Sequence, residues 1–162
     1  MIGLFVTLGL AGCTTPSPEP TPTPTGFASE AEAFAAAEAT YRAYIDALNQ
    51  VDLSDPATFE PVYDLTAGDF NAASRESLSQ LHAEGASFQG ERSYFNAETL
   101  TWSATDATLA VCLDVSNLDV VASDGTSMVA DERADIQSIA VDMDLTESQI
   151  KEVRPSEISG RC

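Results

Sequence analysis

Between Thr14 and Thr25 the chain reads Thr-Thr-Pro-Ser-Pro-Glu-Pro-Thr-Pro-Thr-Pro-Thr, five prolines in twelve residues. Proline lacks the amide proton that helices and sheets use and fixes φ, so this segment cannot join a packed core. It tends instead to an extended polyproline II path, which at about 3.1 Å per residue spans roughly 35–40 Å. The folded unit is thereby confined to the residues C-terminal to it. The chain's 162 residues are enough for one domain with a real core and not comfortably for two.

Before the proline-rich segment stands an almost unbroken apolar run, Ile2 to Leu10. A bilayer-spanning helix needs about 20 apolar residues, so this run suits the core of a secretory signal peptide instead. It ends in Leu10-Ala11-Gly12-Cys13, which resembles the lipobox of bacterial lipoproteins. The resemblance covers four residues, and their place directly after the apolar run gives it specificity. It implies that residues 1–12 are a signal peptide, that Cys13 is lipidated, and that residues 13–27 tether an extracytoplasmic domain to the cell membrane. Met1 to Leu4 carries no Lys or Arg, a departure from the basic n-region of such leaders.

The 26 acidic residues against 7 basic ones give a formal charge of −19. Such a surface repels nucleic acid phosphates and anionic headgroups alike, so no nucleic-acid partner is expected. Most of the acidity reads as a solvated face. The domain holds two cysteines, Cys112 and Cys162. Outside the cytoplasm they are expected to pair without a leftover thiol, against a bland reading as two separate buried thiols.

Order is expected from about residue 28. Ser29-Glu30-Ala31-Glu32 has the spacing of a capping box, and Phe34, Ala37, Tyr41, Tyr44, Ile45 and Leu48 come after it as one helical stripe. Asp55-Pro56 opens a second short helix, with Phe59, Val62 and Tyr63 inward and Pro61 limiting its length. A third helix is predicted from about Asp69 to Glu84, stopped by Gly85.

After Ser87 the pattern becomes period-two. Leu100 and Trp102 mark one strand, and Leu109, Val111, Leu113 and Val115 mark the clearest one. Asp124-Gly125 is a hairpin signal, with a long return strand predicted from Thr126 to about Asp142. A last strand is predicted from Gln149 to Arg154. Helices followed by a hairpin-rich sheet give an α+β class, with N-terminal helices packed on a curved antiparallel sheet.

This order resembles the NTF2-like, cystatin-like cone, and resembles several actinobacterial lipoproteins. The pieces are Tyr41 and Tyr44, Trp102, the Val111 to Val115 strand and Asp124-Gly125, spanning roughly residues 29–154. The resemblance is one of order and spacing, not a catalytic signature. It implies a cone whose pocket is lined by Tyr41, Tyr44, Tyr63 and Trp102.

Catalytic chemistry finds few candidates. His82 is the lone histidine and sits where it would meet helix C-terminal carbonyls. Asp114 falls on the solvent side of its strand. No Gly-x-Ser-x-Gly, CxxC, zinc spacing or glycine-rich phosphate loop occurs, so no cofactor or metal is expected. Asp119, Asp124, Asp131, Glu132 and Asp135 do not match a calcium-loop spacing and read as an acidic rim. The leading expectation is a membrane-anchored lipoprotein with a non-catalytic domain for a protein partner or small ligand. Two others stand beside it: a SnoaL-like or isomerase-like enzyme using the cone, and a structural envelope spacer.

Overall fold

The computed structural model describes residues 26–156 and Cys162. The apolar leader, Cys13 and the proline-rich segment lie outside the described residues.

Helix α1, Glu30–Asn49, begins where its cap dictates. The Ser29 hydroxyl accepts from the Glu32 amide at 3.3 Å, and the Glu32 carboxylate accepts from the Ala28 amide at 3.1 Å. The Glu32 amide, a donor orphaned at the helix start, is thus satisfied, and the Ala28 amide just before the cap is paired as well. Ala33, Ala37, Tyr41 and Ile45 form the buried stripe, and the two alanines let the helix lie close on the sheet. Asp55 caps a 3-10 turn, Pro56–Phe59, which runs into the short α2, Glu60–Asp64. Pro61 does not end this element; it sits in the first turn of α2, where its missing amide proton costs nothing. Helix α3 spans Gly68–Ala83. Its start is pinned by the Asn71 side-chain amide, which donates to the Tyr63 carbonyl at 2.7 Å and to the Thr66 carbonyl at 3.2 Å.

Six strands complete the described chain: β1 Ser87–Gln89, β2 Ser93–Trp102, β3 Asp106–Asp114, β4 Asp119–Val121, β5 Ile136–Asp144 and β6 Gln149–Pro155. The main sheet is antiparallel in the order β2-β3-β5-β6, and β1 pairs with β4 in a second, two-stranded sheet. The two sheets form one bent ribbon. Ser93 faces Asp114 in the first and Gln89 faces Asp119 in the second, so the same two chain paths are paired on both sides of a kink.

The kink is built from named contacts. Gly90 has φ +77°, and a Cβ placed there would lie 1.7 Å from the Asn117 carbonyl oxygen. Only glycine fits so close an approach of two backbones. On the opposite path Arg133 donates to the Val115 and Leu118 carbonyls at 2.8 and 2.7 Å, closing the turn between β3 and β4. Further curvature comes from register shifts, two in the β2–β3 pairing and one in the β5–β6 pairing. Asn96, with φ +53°, occupies one of them. Such bulges bend a strand and raise its twist, which curls the sheet around α1.

The predicted return strand from Thr126 is corrected. Regular pairing starts only at Ile136; before it there is a single bridge, Val121 to Ser127. Asp124 does form the tight turn, accepting from the Thr126 amide at 3.0 Å. Residues 130–135 are mostly exposed and carry Asp131, Glu132 and Asp135, so no apolar face holds them against the sheet. Strand β2 likewise begins at Ser93, well before the expected Leu100 region.

The core has two parts. The first joins α1 to Leu109, Val111, Val141, Met143 and Ile150 on the concave sheet face. The second gathers Leu53, Phe59, Val62, Tyr63 and Leu78 under the bent arm, with Phe88 and Val120 packed on it. Tyr44 packs against both. On the convex face Cys112, 1% exposed, lies with its sulfur 2.13 Å from that of Cys162, and their Cα atoms are 5.5 Å apart.

Candidate functional site

The four residues expected to share a pocket do not converge. Tyr41 and Tyr44 are neighbours on α1, with ring centroids 6.3 Å apart. Tyr63 belongs to the second core cluster, where the Arg75 guanidinium sits 3.9 Å above its ring centroid. Trp102 is 41% exposed at the end of β2, beside Asp106 and Lys151 in a separate shallow cleft of about 260 Å³. Tyr94 near the start of β2 meets Tyr41, whereas Trp102 lies at the far end of the same strand, which is why Trp102 and the tyrosines part company.

What the helices do enclose is an apolar groove of about 320 Å³. Tyr44 and Leu48 line it from α1, Val62 from α2, and Phe88 from β1. The remaining wall is α3, through Phe70, Ala73, Ser74, Ser77, Leu78 and Leu81. Together these are the apolar and small residues of α3 that face α1 and β1. The groove stays partly open because α3 carries alanine and serine where larger residues would have filled the gap. The volume lies at the small end of ligand-binding sites.

Beside Phe88, one of the groove's rings, lies a residue that sequence reasoning missed and that does not itself line the groove. Arg92 comes just after the kink and is only 9% exposed. The Asn49 side chain holds its backbone from both sides: the Arg92 amide donates to Asn49 Oδ1 at 3.0 Å, and Asn49 Nδ2 donates to the Arg92 carbonyl at 2.8 Å. Its guanidinium carbon stands 5.0 Å from the centroid of the Phe88 ring. Among the described residues no carboxylate pairs with it, whereas Arg42, Lys151 and Arg154 each have one.

The Arg92 charge is felt by Tyr41 and Tyr44. Burial pushes the Tyr44 hydroxyl up to about 12, against the opposing pull of Arg92. Burial, with Tyr44 and Tyr94 adding to it, raises Tyr41 further. Both phenols therefore stay protonated, as donors, at neutral pH. Burial lowers Arg92 from its ordinary value, and the two tyrosines oppose that shift; a guanidinium nevertheless keeps its charge. No sealed side-chain nitrogen or oxygen lacks a partner among the described residues. The unpaired groups of Arg92 therefore reach solvent.

The other candidate residues have local roles. His82 Nδ1 lies 2.7 Å from the Leu53 carbonyl, which can only accept, so Nδ1 carries the proton and donates. That bond ties α3 to the loop before Asp55 and replaces the expected contact with the helix's own last carbonyls. Asp114 accepts from the Ser116 amide and hydroxyl at 2.9 and 2.6 Å, which holds its carboxyl below the usual range. Asp119 accepts from the Ser127 hydroxyl at 2.6 Å. These are turn-forming contacts.

No protein-family model matches the chain, and no curated protein matches it. Among solved structures, the chain is similar to a "putative aromatic ring hydroxylase" from Novosphingobium aromaticivorans. That similarity has a TM-score of 0.51 at 13% identity, over 79% of this chain and 96% of that one. A designed β-sheet protein aligns with a TM-score of 0.35 at 15% identity, over 82% of this chain and 97% of that one, and carries no weight. Three helices packed against antiparallel strands, in the arrangement shared with the first of these, make this an α+β domain of the NTF2-like fold type.

Proposed function

We propose that the protein is a lipid-anchored, extracytoplasmic lipoprotein whose domain binds a small, largely apolar ligand without transforming it. The observation that carries the binding half is the groove between α1, α3 and Phe88, which offers apolar walls and two serine hydroxyls. Abstraction of a proton would need a carboxylate or imidazole poised by burial. Among the described residues the buried charge is instead a cation, Arg92. This favours ligand binding over the isomerase-like alternative. The anchoring half rests on Leu10-Ala11-Gly12-Cys13 behind the apolar run, with the proline-rich segment as spacer. The Cys112 and Cys162 sulfurs at disulfide distance agree with an oxidising compartment.

Metabolic labelling with a tritiated fatty acid is expected to label the wild-type chain and not Cys13→Ser. Equal labelling of both would refute the anchor. Native mass spectrometry of protein purified from its own envelope is expected to show an added mass of a few hundred daltons or less, lost on denaturation. A preparation that is bare in native spectra and also fails to take up apolar probes would refute the binding reading.

A further inference from the structure

We infer that the outer edge of β2 is a docking strand for a short extended segment of a partner protein. In that segment an apolar residue stands between two lysines or arginines at alternate positions. The surface is separate from the groove between the helices and does not depend on how that groove is read.

Strand β2 ends the main sheet, and among the described residues no strand pairs with its outer side. A free edge offers backbone donors and acceptors to another chain, and folded proteins commonly blunt it with Lys or Pro. Ser93–Trp102 contains neither. Of the three large apolar side chains exposed among the described residues, two, Phe95 and Trp102, are on this strand. Its bulges limit how far a second strand can follow it, so the pairing is a short one.

A trough runs between this edge and α1. It consists of two hollows, of about 510 and 580 Å³, that share Phe34 and Ala97. The helix wall is one row at steps of four: Glu30, Phe34, Glu38 and Arg42. Glu30 lies in the hollow with Thr99 and Arg42 in the hollow with Tyr94, so helix and strand run antiparallel. Four residues of helix rise about 6 Å, and alternate residues of a strand are about 6.6–6.8 Å apart. A strand added to β2 therefore keeps pace with the row over three positions. It places one cation at Glu30, an apolar side chain at Phe34 and a second cation at Glu38. Glu30 has no ion-pair partner among the described residues. Arg42 holds one oxygen of Glu38 at 2.8 Å and leaves the other for an incoming donor.

Charge selects the occupant. A second copy of the chain would present its own β2, which carries Glu98 and no cation, and would set −19 against −19. A basic segment meets complementary charge on both sides of its apolar residue. Backbone pairing then supplies affinity and the alternate side chains supply selection, as in other strand-addition complexes.

The test is fluorescence anisotropy of the labelled, capped peptide Thr-Lys-Thr-Leu-Thr-Lys-Thr against the full-length chain carrying Cys13→Ser. Saturable binding is expected. The same peptide N-methylated at its three central amides keeps charge and side chains but cannot pair with an edge. The isomer Thr-Lys-Lys-Thr-Leu-Thr-Thr keeps charge and composition but loses the alternation. Each is expected to bind at least about tenfold more weakly. Glu30→Gln, an exposed substitution, is expected to weaken the first peptide several-fold and to leave the isomer unchanged. Equal binding of the three peptides would show attraction by net charge alone and overturns the inference. So does indifference of the first peptide to Glu30→Gln, or no saturable binding up to about 1 mM. A wild-type dimer in sedimentation that Phe95→Lys converts to monomer would give the edge to a second copy, and likewise overturns it.

Discussion

Gly90→Ala is expected to lower the unfolding free energy by about 3 kcal/mol or more, because it combines a left-handed backbone with a backbone collision. At φ +77° an added Cβ meets the Asn117 carbonyl oxygen at 1.7 Å, and the obstacle is main chain, which cannot swing aside as a side chain would. Relief requires the two paths of the bent ribbon to part. That would pull on the pairing of Gln89 with Asp119 and on the Arg133 contacts that close the opposite turn. Gly125→Ala is the matched control: its φ is +88°, but nothing lies within 4 Å of its Cβ position. It is expected to cost only about 1 kcal/mol, the conformational part alone. Urea unfolding of the two variants separates the two contributions. Equal stability of the two would mean that the close approach at Asn117 does not exist in solution.

Loss of the Cys112–Cys162 link is the other large effect. The two residues are 50 apart in sequence, and closing a loop of that length removes unfolded-state entropy equivalent to about 4 kcal/mol. Against a total stability of about 5–15 kcal/mol for an ordinary domain, that is a quarter or more. Cys112 is on central strand β3 and 1% exposed, so the link fastens the C-terminal residue across the convex face of the main sheet. The double variant Cys112→Ala/Cys162→Ala is expected to unfold at a clearly lower denaturant concentration than wild type. Reductant is expected to shift the wild type toward the variant and to leave the variant unmoved. A wild-type midpoint indifferent to reductant, with both thiols then shown to be accessible, would mean that the bond does not stabilise the fold.

Much of the domain could be read locally because its signals are local. The helix start at Ser29 depends on residues three positions away, and the α1 stripe on steps of three and four. The alternation of Leu109, Val111 and Leu113 placed β3, and Asp124-Gly125 placed a turn. The same locality explains the overextended return strand. A turn signal announces a reversal, but how far pairing continues depends on whether an apolar face exists to be buried. Between Thr126 and Asp135 it does not.

The site was less legible. Tyr41 and Tyr44 stood out by spacing, and the structure keeps them together, their ring centroids 6.3 Å apart. Tyr63 and Trp102 stood out for the same reason and go elsewhere, because spacing reports which side of an element a residue occupies and not which cluster it joins. Arg92 carried no periodic signal at all. The one sequence hint was its place just after Gly90, where the strand pattern breaks.

Sequence alone determined the class of this protein: capped helices first, alternating strands after, and two domain cysteines available to pair. These arise from chain stereochemistry and short-range pattern, which need no distant partner. Tertiary structure alone decided that the hairpin bends at Gly90, that the helices leave a groove open, and that Arg92 is buried with no carboxylate partner among the described residues. Each of those depends on contacts between distant segments, Gly90 with Asn117 and Asn49 with Arg92, and the fate of a charge is set by what the fold packs around it.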